Sequence, residues 1–255
     1  MSAIAELIPA MAERIVHQFD PLGIILFGSQ ARGDASPASD VDLLVILPQG
    51  IDERQAAIEI GRALSEFAVS TDVIVSTPAE IQRRGGLVGT VFRPALREGR
   101  VLYDQEPETA KRGVPPVSKD EVLAETRGWL DDAGADLLTA THLIALPELP
   151  FPQAGFHAQQ AAEKALKAIY VFLQIDYPLT HNLDLLREGI PVGWRLKSEY
   201  PDLKALSEWA VELHYPTRRT SVSREDARRA VEQAQALVAA AERDLREHGL
   251  NPWDQ

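Results

Sequence analysis

Residues 27–46 read FGSQARGDASPASDVDLLVI. A Gly-Ser pair at 28 and 29 is followed by ten residues and then by Asp40-Val41-Asp42, where an apolar run begins. GIILFG (23–28) is a short apolar run closed by glycine, the pattern of a buried strand. ARGDASPAS is loop chemistry, with Gly, Asp, Ser and Pro clustered. DVDLLVIL (40–47) is a second strand. Side chains at i and i+2 of a strand share a face, so Asp40 and Asp42 are expected to project together, about 6–7 Å apart along the backbone. Like charges that close repel unless a cation neutralises them. A hard cation such as Mg²⁺, held by one or two carboxylates and substrate phosphates, suits that need.

Working outward, 2–18 has the spacing of an amphipathic helix and not of a signal peptide. DERQAAIEIGRALSEFA (52–68) opens on acids and keeps a helical period. TDVIVST (71–77) is a third strand, expected to be central, and its Asp72 is a third acid among Val and Ile, costly to bury unless paired. Three carboxylates from two strands would hold two metal ions, which activate an attacking oxygen and steady a leaving phosphate. Gly28 permits close backbone approach, Ser29 offers a hydroxyl and an N–H, and Arg32 brings a fork-shaped cation, a set suited to a triphosphate. PAEIQRR and TVFRPALREG read as helical turns, with Gly99 a C-cap, and RVLYD (100–104) as a further short strand.

QEPETAKRGVPPV (105–117) has three Pro, one Gly and no hydrophobic period, and is expected to be a linker between domains at 1–104 and 118–255. Beyond it the chain reads as helical throughout. Ser118 and Glu121 carry a capping-box signature ahead of a helix to about Leu146. A second helix is expected over 154–173, shorter ones over 183–188 and 203–213, and a last one capped by Ser223 with Asp226. Ala227, Ala230, Val231, Ala234, Leu237, Val238, Ala241 and Leu245 form its apolar stripe. Four main helices with short joints suggest an up-and-down bundle. The expected fold class is therefore an α+β domain with a short mixed sheet, followed by an all-α bundle of four or five helices.

The 255-residue chain has net charge −12 and no Cys, which excludes disulfides and thiolate metal sites. Residues 1–104 hold 9 Lys/Arg against 14 Asp/Glu, and residues 118–255 hold 15 against 22, so neither half has the basic footprint of a duplex nucleic-acid binder. No apolar run approaches a membrane span. The expected location is the cytoplasm.

GSQARGDASPASDVD resembles the GSx10DxD signature of the minimal nucleotidyltransferase (MNT) family of the polymerase-β-like superfamily, over roughly residues 10–104. The resemblance implies that Asp40, Asp42 and Asp72 bind Mg²⁺ and that nucleoside triphosphate, with ATP expected, gives its nucleotidyl group to an acceptor. It also implies that Asp72 helps deprotonate that acceptor and that pyrophosphate leaves. FHAQQAAEKALKAIYVFLQIDYPLTHNLDLL (156–186) resembles HEPN domains, the helical bundles often paired with or fused to MNT domains, and a homodimer through the helical domain fits that likeness. Many HEPN domains carry an Arg-x4–6-His ribonuclease motif at the start of the last long helix. Here Arg218 and Arg219 lack the matching His, while Arg243 and His248 have the spacing at the wrong end.

The resemblance leaves three functions open. The acceptor is a protein hydroxyl, as in toxin–antitoxin pairs of MNT and HEPN proteins, or a small molecule of the aminoglycoside type; or the chain is a nucleotide-binding regulator without turnover. In the helical half, His157, Gln160, Lys164 and Lys167 lie on one helical face that either meets the nucleotide or is solvated; solvation is the expectation for Lys164 and Lys167, and both readings stay open for His157. Glu163 reads as a surface acid in preference to a group that orients an acceptor, and His181 as a cap or ligand contact. Trp129, Trp194, Trp209 and Tyr215 read as core or interface.

Overall fold

The computed structural model describes residues 3–36, 39–105, 114–146, 151–212 and 223–250. The chain divides into two compact units, Met1–Glu121 and Val122–Gln255.

In the first unit α1 (Ala3–Phe19) leads into β1 (Gly23–Phe27), α2 (Gly28–Arg32), β2 (Val41–Ile46), α3 (Glu53–Leu64) and β3 (Thr71–Ser76). Then come α4 (Pro78–Arg84), α5 (Phe92–Glu98) and β4 (Arg100–Asp104). The strands form one mixed sheet in the order β3-β2-β1-β4, antiparallel except for the β2–β3 pair. The parallel pair follows from α3, the helical crossover that returns the chain to the same end of the sheet. β3 is thus an edge strand rather than a central one, because only β2 pairs with it.

β2 is apolar along nearly its whole length because both faces are covered. Val41, Leu43 and Val45 join Ile24 and Leu26 against Ile8, Met11 and Ile15 of α1 and Ile60 and Leu64 of α3. Leu44 and Ile46 join Ile25 and Phe27 against Phe92 and Ala95 of α5. Each such buried aliphatic side chain contributes about 1.5–3 kcal/mol. One position breaks this run: Asp42, on the face that carries Leu44 and Ile46. Two helices start on side-chain caps, Asp52 accepting from Gln55 N ahead of α3 and Thr77 from Glu80 N ahead of α4.

The second unit holds most of α6 (Lys119–Ala145), then α7 (Phe151–Leu173), α8 (Leu183–Gly189), α9 (Arg195–Glu199), α10 (Lys204–Ser207), α11 (Trp209–Glu212) and α12 (Arg224–Glu247). Three of the described helices are long. The single helix expected over 203–213 is two short ones that break at Glu208, Leu213 lies outside the described residues, and α9 had no counterpart in the sequence pattern. The core is lined with small residues. Ala154, Ala158, Ala161, Ala165 and Ala168 of α7 face Ala227, Ala230, Ala234 and Ala241 of α12, with Leu166, Ile169, Leu237 and Leu245 filling the gaps. Gly155 belongs to the same logic, since a Cβ there would lie 2.1 Å from the Trp209 ring. α6 presents Thr126, Ala133 and Ala140, seven residues apart, to the core.

Ser223 and Asp226 form the full capping box at the start of α12. At α6 half of it forms: Glu121 N donates to Ser118 Oγ, while the Glu121 carboxylate accepts from Arg83 at 3.1 Å. Trp194 and Trp209 are core residues and Trp129 packs against the core. Tyr215, Arg218, Arg219 and residues 106–113 of the expected linker lie outside the described residues. Among the described residues, no helix is long and apolar enough to cross a membrane.

Candidate functional site

The site begins where β1 runs out. Gly28 has φ +68, a left-handed conformation, and a Cβ there would fall 2.0 Å from Asp42 Oδ2. Any side chain at 28 would meet both backbone strain and the Asp42 carboxylate. The chain then makes the brief helix α2, closed by Gly33 in the left-handed region, whose N–H donates to Ser29 O at 3.0 Å. Gln30 reaches across the following loop to the Ser39 carbonyl at 3.5 Å, tying α2 to the residues that lead into β2. Ser29 is half-buried on the first turn of α2.

The sheet register brings the carboxylates together. Asp42 is paired in register with Phe27 on one side and with Asp72 on the other. Register partners project to the same face, so Asp42 and Asp72 emerge side by side at one end of the sheet. Asp40 lies one residue ahead of β2, in the loop rather than in the strand, and is exposed. Asp72 is exposed as well, because β3 is an edge strand. The cost foreseen for an acid in a central strand therefore does not arise there. It falls on Asp42 instead, which is half-buried. Burial, then Asp72, then Asp40 push the Asp42 carboxyl above its ordinary value, and the nearby Arg32 only partly offsets them.

Arg32 ends α2. Its Nε donates to Asp34 Oδ2 at 3.2 Å, and its Nη1 lies 3.9 Å from Glu98 Oε2 at the end of α5. Neither acid was singled out by the motif. Among the described residues, no three His, Asp or Glu side chains are gathered closely enough to cage a metal ion unaided. The donor set nevertheless fits a hard cation that draws its remaining ligands from phosphate. It consists of oxygen donors only, two of them exposed to solvent and the third, Asp42, half-buried between them and Phe27.

The helical unit corrects the expectations for Glu163, Lys167 and His181. Glu163 is 3% exposed and is no surface acid. It accepts from Lys167 Nζ at 2.7 Å, Gln159 Nε2 at 2.8 Å and His181 Nδ1 at 3.0 Å. Burial pushes its carboxyl up, but Lys167, Gln159 and His181 outweigh burial, and the net direction is down. Lys167 is not solvated either, since its ammonium also lies over the rings of Trp129 and Tyr177, at 5.8 and 5.3 Å. Lys164 pairs with Asp136 at 2.8 Å, and His157 shares that carboxylate at 2.8 Å. His181 is not the cap of α8; Asn182 is. Arg243 is held by Glu199 at 2.6 Å and His248 stacks on Trp194 at 4.1 Å, so this pair is engaged in packing.

A nucleotidyltransferase domain model matches residues 8–98, and a HEPN domain model matches residues 126–244. The relative named "Putative protein adenylyltransferase MJ0604", from Methanocaldococcus jannaschii, is 35% identical over 81 residues, 31% of this chain and 76% of its own length. The chain belongs to the nucleotidyltransferases. This nucleotidyltransferase carries its HEPN domain on the C-terminal side. The crystal structure of TT1696 from Thermus thermophilus is 26% identical, covering 47% of this chain and 97% of its own, with a TM-score of 0.41. Spectinomycin adenyltransferase AAD(9) from Enterococcus faecialis is 12% identical, covering 93% and 98%, with a TM-score of 0.46. Both are loose likenesses.

Proposed function

We propose that this nucleotidyltransferase moves the nucleotidyl group of ATP to a protein hydroxyl, with two Mg²⁺ ions held by Asp40, Asp42 and Asp72. The observation that carries the reading is the register of β2 and β3, which sets Asp72 beside Asp42 although they are far apart in sequence. A protein acceptor is supported by the name of the M. jannaschii relative. When bound, the ions would supply Lewis-acid stabilisation of the phosphate oxygens and a more acidic acceptor hydroxyl.

The chain's own groups do the rest. Gly28 leaves the space in which the Asp42 carboxylate lies against the phosphate loop. Ser29 offers its hydroxyl and N–H to the triphosphate. Arg32 offers its Nη groups to the same phosphates, Nε being engaged by Asp34. Asp72, exposed at the sheet edge, would take the proton of an arriving hydroxyl.

The test is incubation of the full chain with ATP labelled at the α-phosphate and Mg²⁺, with and without cell lysate. Label transferred to protein, with release of pyrophosphate, is the expected result. Bound nucleotide without pyrophosphate release would contradict turnover, and label only on an added aminoglycoside would contradict the protein acceptor.

A further inference from the structure

Arg32 is held from two sides by acids that belong to neither the Gly-Ser pair nor the three aspartates. Asp34, two residues on, takes its Nε at 3.2 Å. Glu98 approaches its Nη1 at 3.9 Å. Glu98 is the last residue of α5, which is anchored on the sheet by Phe92 and Ala95, so the approach comes from a fixed base. Arg32 ends the short helix α2, which begins directly after Phe27, the register partner of Asp42, so the arginine belongs to the carboxylate end of the sheet.

Exposed ion pairs of this kind add little to stability, and placing two carboxylates beside a phosphate ligand repels the phosphate. The arrangement makes sense for orientation. A free arginine spreads over many rotamers, whereas one gripped at Nε and flanked at Nη1 has its plane set and an Nη edge left for a ligand. We propose that Asp34 and Glu98 are positioning residues, which hold the Arg32 guanidinium ready for the triphosphate. The proposal rests on the reading of Arg32 as a phosphate ligand.

Repulsion and positioning differ in sign, and this makes the proposal testable. The full chain would be titrated with Mg²⁺ and a non-hydrolysable ATP analogue, comparing wild type, Asp34→Asn/Glu98→Gln, Arg32→Ala and the triple variant. As positioning residues, Asp34 and Glu98 should on removal weaken binding about five- to tenfold, the scale of one freed side chain. Melting temperature should be unchanged, and the double change should add nothing once Arg32 is alanine. A merely structural role would weaken binding equally in both backgrounds. Tighter or unchanged binding by the double variant, with Arg32→Ala still weakened, overturns the positioning role alone. An Arg32→Ala variant that binds as wild type does removes the phosphate role beneath it, and the proposal with it.

Discussion

Asp42 and Glu163 are both carboxylates drawn out of water, and the chain treats them in opposite ways. Glu163 sits in the helical unit with an ammonium, an amide and an imidazole on its two oxygens, and its proton affinity falls. Asp42 sits at the end of a sheet with two further carboxylates for neighbours and one partly engaged guanidinium, and its proton affinity rises. A buried charge that is fully matched holds a structure together. One left unmatched beside like charges is where, on the proposed reading, a cation from solution completes the set. Burial raises both carboxyls, and it is the neighbours that give the two acids opposite net directions.

The largest effect that could break this contrast is on turnover. Asp72→Asn, or Asp40→Asn, should cut nucleotidyl transfer on the order of 10²- to 10³-fold, the range seen when one group that stabilises transition-state charge is removed. The fold should be unaffected, because both side chains are exposed. Glu163→Gln should leave the rate per folded molecule as it is. Label transfer measured beside circular dichroism checks all three.

Stability should respond the other way. Glu163→Gln strands the Lys167 ammonium beneath Trp129 and Tyr177 without its counter-charge, at a cost of about 3 kcal/mol in urea unfolding. A companion Lys167→Met change should recover most of that loss.

The pH dependence sharpens the comparison further. The unfolded reference for Glu163 is 4.5 and its folded value lies lower, so its contribution is complete above about pH 4.5 and is lost as pH falls through the folded value. Asp42 has the opposite sign, with a folded value above the reference of 3.8. Ionising it opposes folding, so Asp42→Asn should be slightly more stable than wild type near neutrality. That small gap should close as pH falls below the reference value. Thermal unfolding of the two variants across an acid series checks both signs.

How much of this could be seen in the sequence depended on distance along the chain. The Gly28–Ser29 turn and the start of β2 are local, since one glycine, one loop and one strand start suffice to place them, although Asp40 falls in the loop just ahead of the strand. The alternation of β2 between its two covered faces was equally open to view. The edge position of β3 was not, because strand order is settled by the α3 crossover and by β4 pairing with β1 from the other end of the domain. The environment of Glu163 was hidden for a like reason. Its helix shows charges at 163, 164 and 167 that look like a wet face, but Trp129 comes from α6, and Tyr177 and His181 from the loop after α7. Glu98 carried no signal at all, as its approach to Arg32 exists only once α5 lies along the sheet.

The central claim, that the strand-end carboxylates are an incomplete set which a cation and nucleotide complete, is tested most directly by ligand-dependent stability. Mg²⁺ with a non-hydrolysable ATP analogue should raise the melting temperature of wild type, since whatever binds only the folded state stabilises it. Asp42→Asn, folded and melting no lower than wild type without ligand, should show no such rise. An equal rise in both proteins would contradict the account.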